Sequence, residues 1–355
     1  MKKVLLGMSG GVDSSVSAIL LKEAGYEVIG ATMELWQDET NNLESGCCSL
    51  SAVSDAKRIC NKLGISHYTL NYKKEFKKYV INDFIKCYGC SKTPNPCIEC
   101  NKYIKFDLFY KKAMELGCDY ISTGHYAKID FSEEYGQYIL KKSNEIAKDQ
   151  TYFLYGISKE ILSKIIFPLQ NYANKQEIRE IAKRYDLQVA KKPDSQEICF
   201  IPNNKYTDFL LQNMKKMPKK GDIITTKGEI LGKHNGLMYY TIGQRKGLGI
   251  SYKEPLYVVD FKEKENKVIV GTEDELYKDE LYANELNFLL FDKLEHEMEI
   301  TAKIRYRSKE AEAILIPKED GKLKVKFKVP QRAITKGQSV VFYKGDIVVG
   351  GGKIT

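Results

Sequence analysis

The sequence predicts a chain in three parts: an α/β domain on a parallel sheet, a small central α+β domain, and a C-terminal β-barrel. Three observations carry this reading. Strand-like and helix-like stretches alternate from residue 1 to about 190, mixed patterning with Gly-rich turns such as "TIGQRKGLGI" follows, and beyond about 275 the apolar residues fall at every second position. The expected boundaries are 1–202, 203–272 and 273–355. At 355 residues, 43% hydrophobic and 29% charged, the chain is long enough for several cores and has the balance of a folded protein.

In order, "KKVLLGM" reads as a short buried strand, "DSSVSAILLKEAG" as a helix stopped by Gly25, and "YEVIGATMEL" as the next strand. "SDAKRICNKLG" is helical with Gly64 as its stop, and "ISHYTLNY" is extended. A third helix, "KYIKFDLFYKKAMELG", stops at Gly117 before the strand "CDYISTGHYA", and "NKQEIREIAKRYD" closes the first part as a helix. Repeated strand–helix alternation implies a sheet covered on both faces, with ligands at the carboxyl ends of its strands. In the last part "TAKIRYRSKEAEAILIP", "KLKVKFKVP" and "SVVFYKGDIVVGGGKI" alternate between Gly and Pro breaks, the pattern of a small barrel.

No run of about 18 apolar residues suggests a membrane span, and the basic start lacks a cleavage site, so a cytosolic protein is expected. All nine cysteines lie at or before position 199, which in a reducing compartment points to metal or thiol chemistry rather than a disulfide scaffold. The net charge of +9, with lysines crowded in "MKKMPKK", suits either a polyanion partner or a basic solvated surface.

"GMSGGVDSS", residues 7 to 15, joins the first strand to the first helix. Glycines let the backbone approach a charged group, while helix N–H groups and the hydroxyls of Ser9, Ser14 and Ser15 present donors to phosphate oxygens. A helix-capping turn would use similar residues, but the full string at this junction favours an anion cradle. It is not a Walker loop, since no Gly-Lys-Ser/Thr follows. It resembles the loop of enzymes that split ATP between its α and β phosphates, and Asp13 there would help hold Mg²⁺. The motif "TPNPCIEC" is less decisive: zinc sites, iron–sulfur clusters and dithiol catalysts all use Cys-x-x-Cys.

Together "GMSGGVDSS", "TPNPCIECNKYIKF", "STGHYA", "KDQTYFLYG", "PDSQEICFI" and "KIRYRS" resemble the tRNA-specific 2-thiouridylase family, in family order and over nearly the whole chain. The resemblance implies an adenine nucleotide alpha hydrolase-like first domain and ATP-dependent replacement of the C2 oxygen of the tRNA wobble uridine by sulfur. AMP is placed on that oxygen with release of pyrophosphate, and the sulfur arrives as a protein persulfide from a relay beginning at a cysteine desulfurase. It implies ATP contacts at Gly7, Met8, Ser9, Gly10, Gly11, Val12, Asp13, Ser14, Met33 and Gly124. Cys199 would carry the persulfide and Cys100 would be its partner nucleophile, the two closing to a disulfide as sulfur leaves. Asn95, Pro96, Cys97, His125, Asp149, Gln150 and Thr151 would lie along the tRNA or its target base, with Tyr306, Arg307 and Gln338 as tRNA contacts in the barrel. Cys100, just before a predicted helix carrying Lys102 and Lys105, is placed for a lowered thiol pKa.

The chain departs from the family at Cys97, where many members have Asp. Cys97, Cys100 and Cys199 therefore also suit a [4Fe–4S] cluster with one iron open to sulfide, and the persulfide and cluster routes both stay open. Cys87, Cys90, Cys97 and Cys100 form C-x₂-C-x₆-C-x₂-C, the spacing of a closed zinc site, which would remove Cys100 from chemistry. No role falls to Cys47 and Cys48, and Cys60 and Cys118 read as core. Two rival functions share parts of the pattern: a pyrophosphate-loop amidotransferase or synthetase, and a noncatalytic tRNA-binding scaffold. A monomer is the expectation for assembly.

Overall fold

In the computed structural model the described residues are 1–36, 50–191, 198–201, 205–214 and 217–355, without the side chains of residues 50 and 191. The chain divides into two compact units, Met1–Ile81 with Pro96–Asn204 and Asp346–Val348, and Asn82–Asn95 with Lys205–Gly345 and Val349–Thr355.

The first unit begins β1 (Lys3–Gly7), α1 (Val12–Glu23), β2 (Glu27–Glu34), α2 (Leu50–Leu63), β3 (Ser66–Asn71). Val4, Leu5 and Leu6 are all fully buried, a continuous apolar run rather than an alternating one, because the sheet is covered on both faces. α3 (Lys73–Phe76) winds on as a π turn (Lys77–Ile81) into α4 (Asn82–Gly89), which belongs to the second unit. α5 (Pro96–Glu99) continues as a π-wound stretch (Cys100–Leu108) and α6 (Phe109–Glu115), followed by β4 (Tyr120–Ser122), the hairpin β5 (Lys128–Ser132) and β6 (Gln137–Lys141), β7 (Ile165–Ile166) and α7 (Lys175–Arg184). The central sheet is parallel throughout, in the order β3-β2-β1-β4-β7. The chain moves from β1 toward β3 on one side and then crosses to β4 on the other, so the topological switch point lies between β1 and β4. α1 and α7 pack on one face through Val12, Val16, Ile19, Ile178, Ile181 and Ala182.

Two expectations are corrected. The helix read from Lys102 begins at Pro96, whose fixed φ and missing N–H suit a first helical position, so Cys100 lies inside the helix rather than before it. The strand read over 118–127 is confined to Tyr120–Ser122, because the chain leaves the sheet at Thr123.

In the second unit α8 (Tyr206–Asn213) sends Phe209 against Phe84 and Tyr206 against Tyr88 of α4, at ring separations of 6.3 and 4.9 Å. A four-stranded sheet of β8 (Gly221–Thr225), β9 (Ile230–His234), β10 (Tyr257–Lys262) and β11 (Lys267–Gly271) runs in the order β10-β11-β8-β9 over Ile223, Val258, Val268 and Val270. The barrel comprises β12 (Tyr277–Phe288), β13 (Met298–Lys303), β14 (Ala311–Pro317), β15 (Leu323–Arg332), β16 (Ser339–Lys344) and β17 (Ile347–Ile354). Its order β12-β15-β14-β13-β16-β17 closes when β17 pairs antiparallel with β12, Ala283 facing Ile354. Closure removes the open edges that a sheet of this kind would otherwise present. The three architectures expected from the sequence are those found.

Candidate active site

At the switch point the loop from Gly7 to Gly11 turns from β1 into α1. No side chain caps the first turn of α1, so its N–H groups face outward at the positive end of the helix dipole. The hydroxyls around it serve the loop itself: Ser14 Oγ accepts from the Ser9 N–H (3.2 Å), and Ser15 Oγ donates to the Gly11 carbonyl (2.7 Å). Gly10 has φ +68°, and a Cβ there would stand 2.5 Å from the Ala52 carbonyl oxygen. Only glycine meets both conditions.

Residues distant in sequence converge here. A Cβ on Gly7 would touch Met33 Cε at 3.3 Å and Thr123 Cγ2 at 3.5 Å, and a Cβ on Gly124 would lie 2.9 Å from the Ser14 amide nitrogen and 3.1 Å from Asp13 Cβ. The ends of β1, β2 and β4 thus deliver Gly7, Met33 and Gly124 to the start of α1, the grouping expected of a nucleotide site. Met8 and Val12 sit in the core at 2% and 4% exposure, so what they offer a ligand is backbone. The Met8 carbonyl accepts from Thr32 Oγ1 (2.8 Å).

The Asp13 carboxylate is engaged by two groups that the sequence reading had not placed there. Lys175 Nζ donates to both carboxylate oxygens at 2.6 Å, and Tyr126 Oη donates to Oδ1 at 2.8 Å. Lys175 is the first residue of α7, set by Asn174, whose side chain accepts from the Glu177 N–H (3.0 Å). The ammonium also lies 5.7 Å from the Tyr126 ring centre. A cation, a phenol and a carboxylate therefore meet beside the uncapped helix start, 162 residues apart in sequence. No local motif marks Lys175.

Cys97 and Cys100 lie on one continuous helical stretch and Cys199 on a turn. Cys100, 7% exposed, opens the π-wound stretch, a helical variant frequent at functional sites. Tyr103 of that stretch stacks on Tyr79 at 4.7 Å, tying it to the π turn after α3. Cys199 is half-buried on a turn closed by Ile201 N–H to Ile198 O (2.9 Å), and its neighbour Phe200 packs edge-on against Phe76 of α3 at 5.6 Å. Cys97 is exposed. Cys97, Cys100 and Cys199 are all thiols. Among the described residues no three His, Cys, Asp or Glu side chains gather as a metal-holding group. Among the described residues, neither the cluster on Cys97, Cys100 and Cys199 nor the zinc set finds its ligands assembled. Cys60 and Cys118 are core as expected; burial pushes the Cys60 thiol up to about 12 and raises Cys118 as well. Cys47, Cys48 and "PDSQE" lie outside the described residues.

His125 packs between Phe106 and Phe167, with ring separations of 5.7 and 6.1 Å, and pairs with Thr123 Oγ1 through Nδ1 (2.7 Å). Burial, helped by the charge of Lys105, holds its pKa well below the usual histidine value. It is a neutral ring, suited to stacking or hydrogen bonding rather than to charge. Asp149 and Thr151 are buried: Asp149 accepts from the Ser143 N–H (3.0 Å) and Thr151 Oγ1 (2.6 Å), so these side chains shape a loop. Gln150 Oε1 accepts from the Tyr126 N–H at 3.0 Å, which fixes the residue beside His125.

In the second unit Tyr306 and exposed Arg307 occupy the turn between β13 and β14, where Arg305 anchors the chain by donating to the carbonyls of Arg332 (2.6 Å) and Ala333 (2.9 Å). Lys303 Nζ lies 5.7 Å from the Tyr306 ring centre. Gln338 does not point away from the chain; its amide donates to the Thr93 carbonyl at 2.9 Å and the Pro94 carbonyl at 3.3 Å. Asn95 and Pro96 follow directly in sequence.

A parallel sheet with an uncapped helix start and a glycine cradle at its switch point defines a nucleotide-binding domain of an ATP-using HUP class. Family profiles agree: a tRNA methyl transferase HUP domain matches residues 2–203, a tRNA methyl transferase PRC-barrel domain 207–272, and an aminomethyltransferase beta-barrel domain 278–354. The tRNA-specific 2-thiouridylase MnmA 1 of Thermoanaerobacter pseudethanolicus is 56% identical over 99% of this chain and 97% of its own. The 2-thiouridylases of Acetivibrio thermocellus (55% identical, 99% of each chain) and Clostridioides difficile (53%, 99% and 98%) are similar to the same extent. The chain belongs to the tRNA-specific 2-thiouridylase family. No described helix is long and apolar enough to cross a membrane.

Proposed function

We propose that this protein is an ATP-dependent sulfurtransferase that replaces the C2 oxygen of the tRNA wobble uridine with sulfur. The observation that carries the reading is the convergence of Gly7, Met33 and Gly124 on the start of α1, in a chain whose relatives are 2-thiouridylases over their full length. The profile descriptions speak of methyl transfer, but an anion cradle at the start of α1, with the thiols of Cys100 and Cys199 in the same unit, suits adenylation followed by sulfur attack.

In the proposed reaction, ATP lies with its phosphates on the loop from Gly7 to Ser14, where Asp13 would hold Mg²⁺, which binds through one or two carboxylates together with substrate phosphates. The uridine O2 attacks the α phosphorus and pyrophosphate leaves. The terminal sulfur of a Cys199 persulfide then forms a bond to C2, and the C–O bond to AMP breaks. Cys100 thiolate then attacks Cys199 Sγ and the persulfide S–S bond breaks, leaving the terminal sulfur on C2 as the thiocarbonyl and giving a Cys100–Cys199 disulfide that a dithiol reductant reopens. A target base must leave the anticodon stack, and His125 with Asn95 to Cys97 is offered as its lining. Tyr306 and Arg307 are offered as phosphate or base contacts, Asp149 to Thr151 as a loop along the tRNA or its target base, a sulfur relay from cysteine desulfurase as the donor, and the cytoplasm as the compartment, with the protein acting as a monomer.

Single-turnover thiolation of unmodified tRNA, with pyrophosphate release followed in parallel, tests the reading. Wild-type protein is expected to thiolate only with ATP and a sulfur donor. Cys100→Ser and Cys199→Ser should abolish thiolation while leaving pyrophosphate release measurable. A protein that releases pyrophosphate and transfers nitrogen, with both serine variants active, would sink the proposal.

A further inference from the structure

The segment that leads into "NPCIEC" is gripped from three sides within the second unit. The Thr93 N–H donates to the Lys336 carbonyl (2.9 Å), the Gln338 side-chain amide donates to the carbonyls of Thr93 (2.9 Å) and Pro94 (3.3 Å), and Thr93 Oγ1 meets Thr241 Oγ1 at 3.5 Å. The grip is close: Gly337, at φ +88°, would place a Cβ 2.9 Å from Lys92 Cβ and 3.0 Å from the Thr93 nitrogen. The gripping loop is itself pinned, since Gly337 N–H donates to the Ile354 carbonyl and Ile354 N–H to the Gln338 carbonyl, both at 2.9 Å. Pro94 has no N–H to place in a ladder, and Pro96 follows two residues later, so this stretch cannot fix itself through regular structure. Its carbonyls must find donors from elsewhere, and Gln338 supplies one that reaches two of them.

We infer that Gln338 is a positioning residue for the thiol-bearing loop, acting through the backbone of Thr93 and Pro94, rather than a side chain whose main contact is tRNA. The amide nitrogen is committed to the two carbonyls, and the clamped carbonyls stand one and two residues before Asn95, with Cys97 and Cys100 following on the same chain. Thr241 brings the central sheet's loop to the same point, so both β modules of the second unit set the entry to the loop. The inference rests on the proposed thiolation for its kinetic consequence, but not for its structural one.

Two substitutions separate the roles. Gln338→Glu keeps the shape and replaces the donating amide by a carboxylate that repels both carbonyls; Gln338→Lys restores a donor of similar reach. The measurements are amide hydrogen exchange over residues 92–100, the rate of Cys97 alkylation by iodoacetamide without tRNA, tRNA affinity, and the single-turnover thiolation rate at saturating tRNA. For Gln338→Glu, loss of the charge-free hydrogen bond and the added repulsion should speed exchange and change alkylation by about tenfold, and slow thiolation by a similar factor. tRNA affinity should move by less than about twofold, and Gln338→Lys should recover part of each loss. If Gln338→Glu weakens tRNA binding about tenfold while exchange at 92–100 stays at the wild-type rate, Gln338 is a tRNA contact and the inference is overturned. Exchange and alkylation are read without turnover, so a wild-type protein that fails to thiolate would defeat the functional reading and leave this test intact.

Discussion

At the scale of single residues, Lys175 is the feature that most changes how the proposed ATP loop would work. With its ammonium 2.6 Å from both oxygens of Asp13, the loop's carboxylate is already neutralised before any phosphate arrives. Phosphate oxygens brought to the uncapped start of α1 would compete for the same cation, and a charge-assisted contact to phosphate is stronger than one to a lone carboxylate partly exposed to water. The expected course is a transfer of Lys175 from Asp13 to the phosphates, freeing the carboxylate for Mg²⁺. Lys175→Met should therefore lower the rate of pyrophosphate release about a hundredfold, the usual cost of removing one donor to a developing anion. tRNA affinity, measured by filter binding, should hold. A Met variant with the wild-type rate would show that the pair is only a surface tie between α7 and α1.

At the scale of elements, the glycine after β4 carries a similar consequence. A methyl at Gly124 would press 2.9 Å from the Ser14 nitrogen, in the first turn of α1 where the proposed site would receive a phosphate. Gly124→Ala should raise the KM for ATP by about tenfold or more while costing about 1–3 kcal/mol of stability, the range for overpacking a tight contact; ATP titration and thermal melting read the two effects separately. This contact was legible as a motif but not as a distance. β1 was legible as a short continuous apolar run and α7 by its helical apolar spacing, while Gly25, Gly64 and Gly117 mark where helices stop. The helical stretch from Lys73 was not, and its winding is the reason. Phe76, Val80, Phe84 and Tyr88 recur every four residues through a π turn, which drifts from the 3.6-residue period that marks an ordinary helix. The same winding hid that Cys100 lies within a helix. The β5–β6 hairpin escaped for another reason: its strands alternate weakly, with Phe131 and Tyr138 50% and 43% exposed. Lys175 and Tyr126 escaped because an ion pair across 162 residues leaves no mark in local pattern.

At the scale of the whole molecule, the histidines give both units an acid limit. Three of the four histidines are held neutral in the fold: His125 and His67 in the first unit, His234 in the second. Burial is the main cause at each. Nearby lysines, Lys105 for His125 and Lys57 for His67, add to it, whereas the Asn266 carbonyl at His234 Nε2 pulls partly the other way. The His67 arrangement shows why protonation is resisted. Thr32 gives its one hydroxyl proton to the Met8 carbonyl, so it accepts from His67 Nε2, and the buried Nδ1 has no partner to receive a second proton's charge. Each folded pKa lies below the unfolded value of about 6.5, so below that pH the unfolded chain binds protons that the folded chain does not. Stability from these groups is full above about pH 6.5 and is lost as pH falls toward each folded pKa, at no more than about 1.4 kcal/mol per pH unit per group. The first unit carries two such groups and the second one, so acidification from pH 7 to 5 should lower the first unit's unfolding transition more steeply. Hydrogen exchange of the Val4–Leu6 strand against the Val340–Phe342 strand, followed across that pH range, resolves the two units. His125→Gln should flatten the first unit's slope by up to one group's share, because glutamine takes no proton. Equal slopes in both units, or a slope in the first unit untouched by His125→Gln, would mean that carboxylates rather than buried imidazoles set the acid limit.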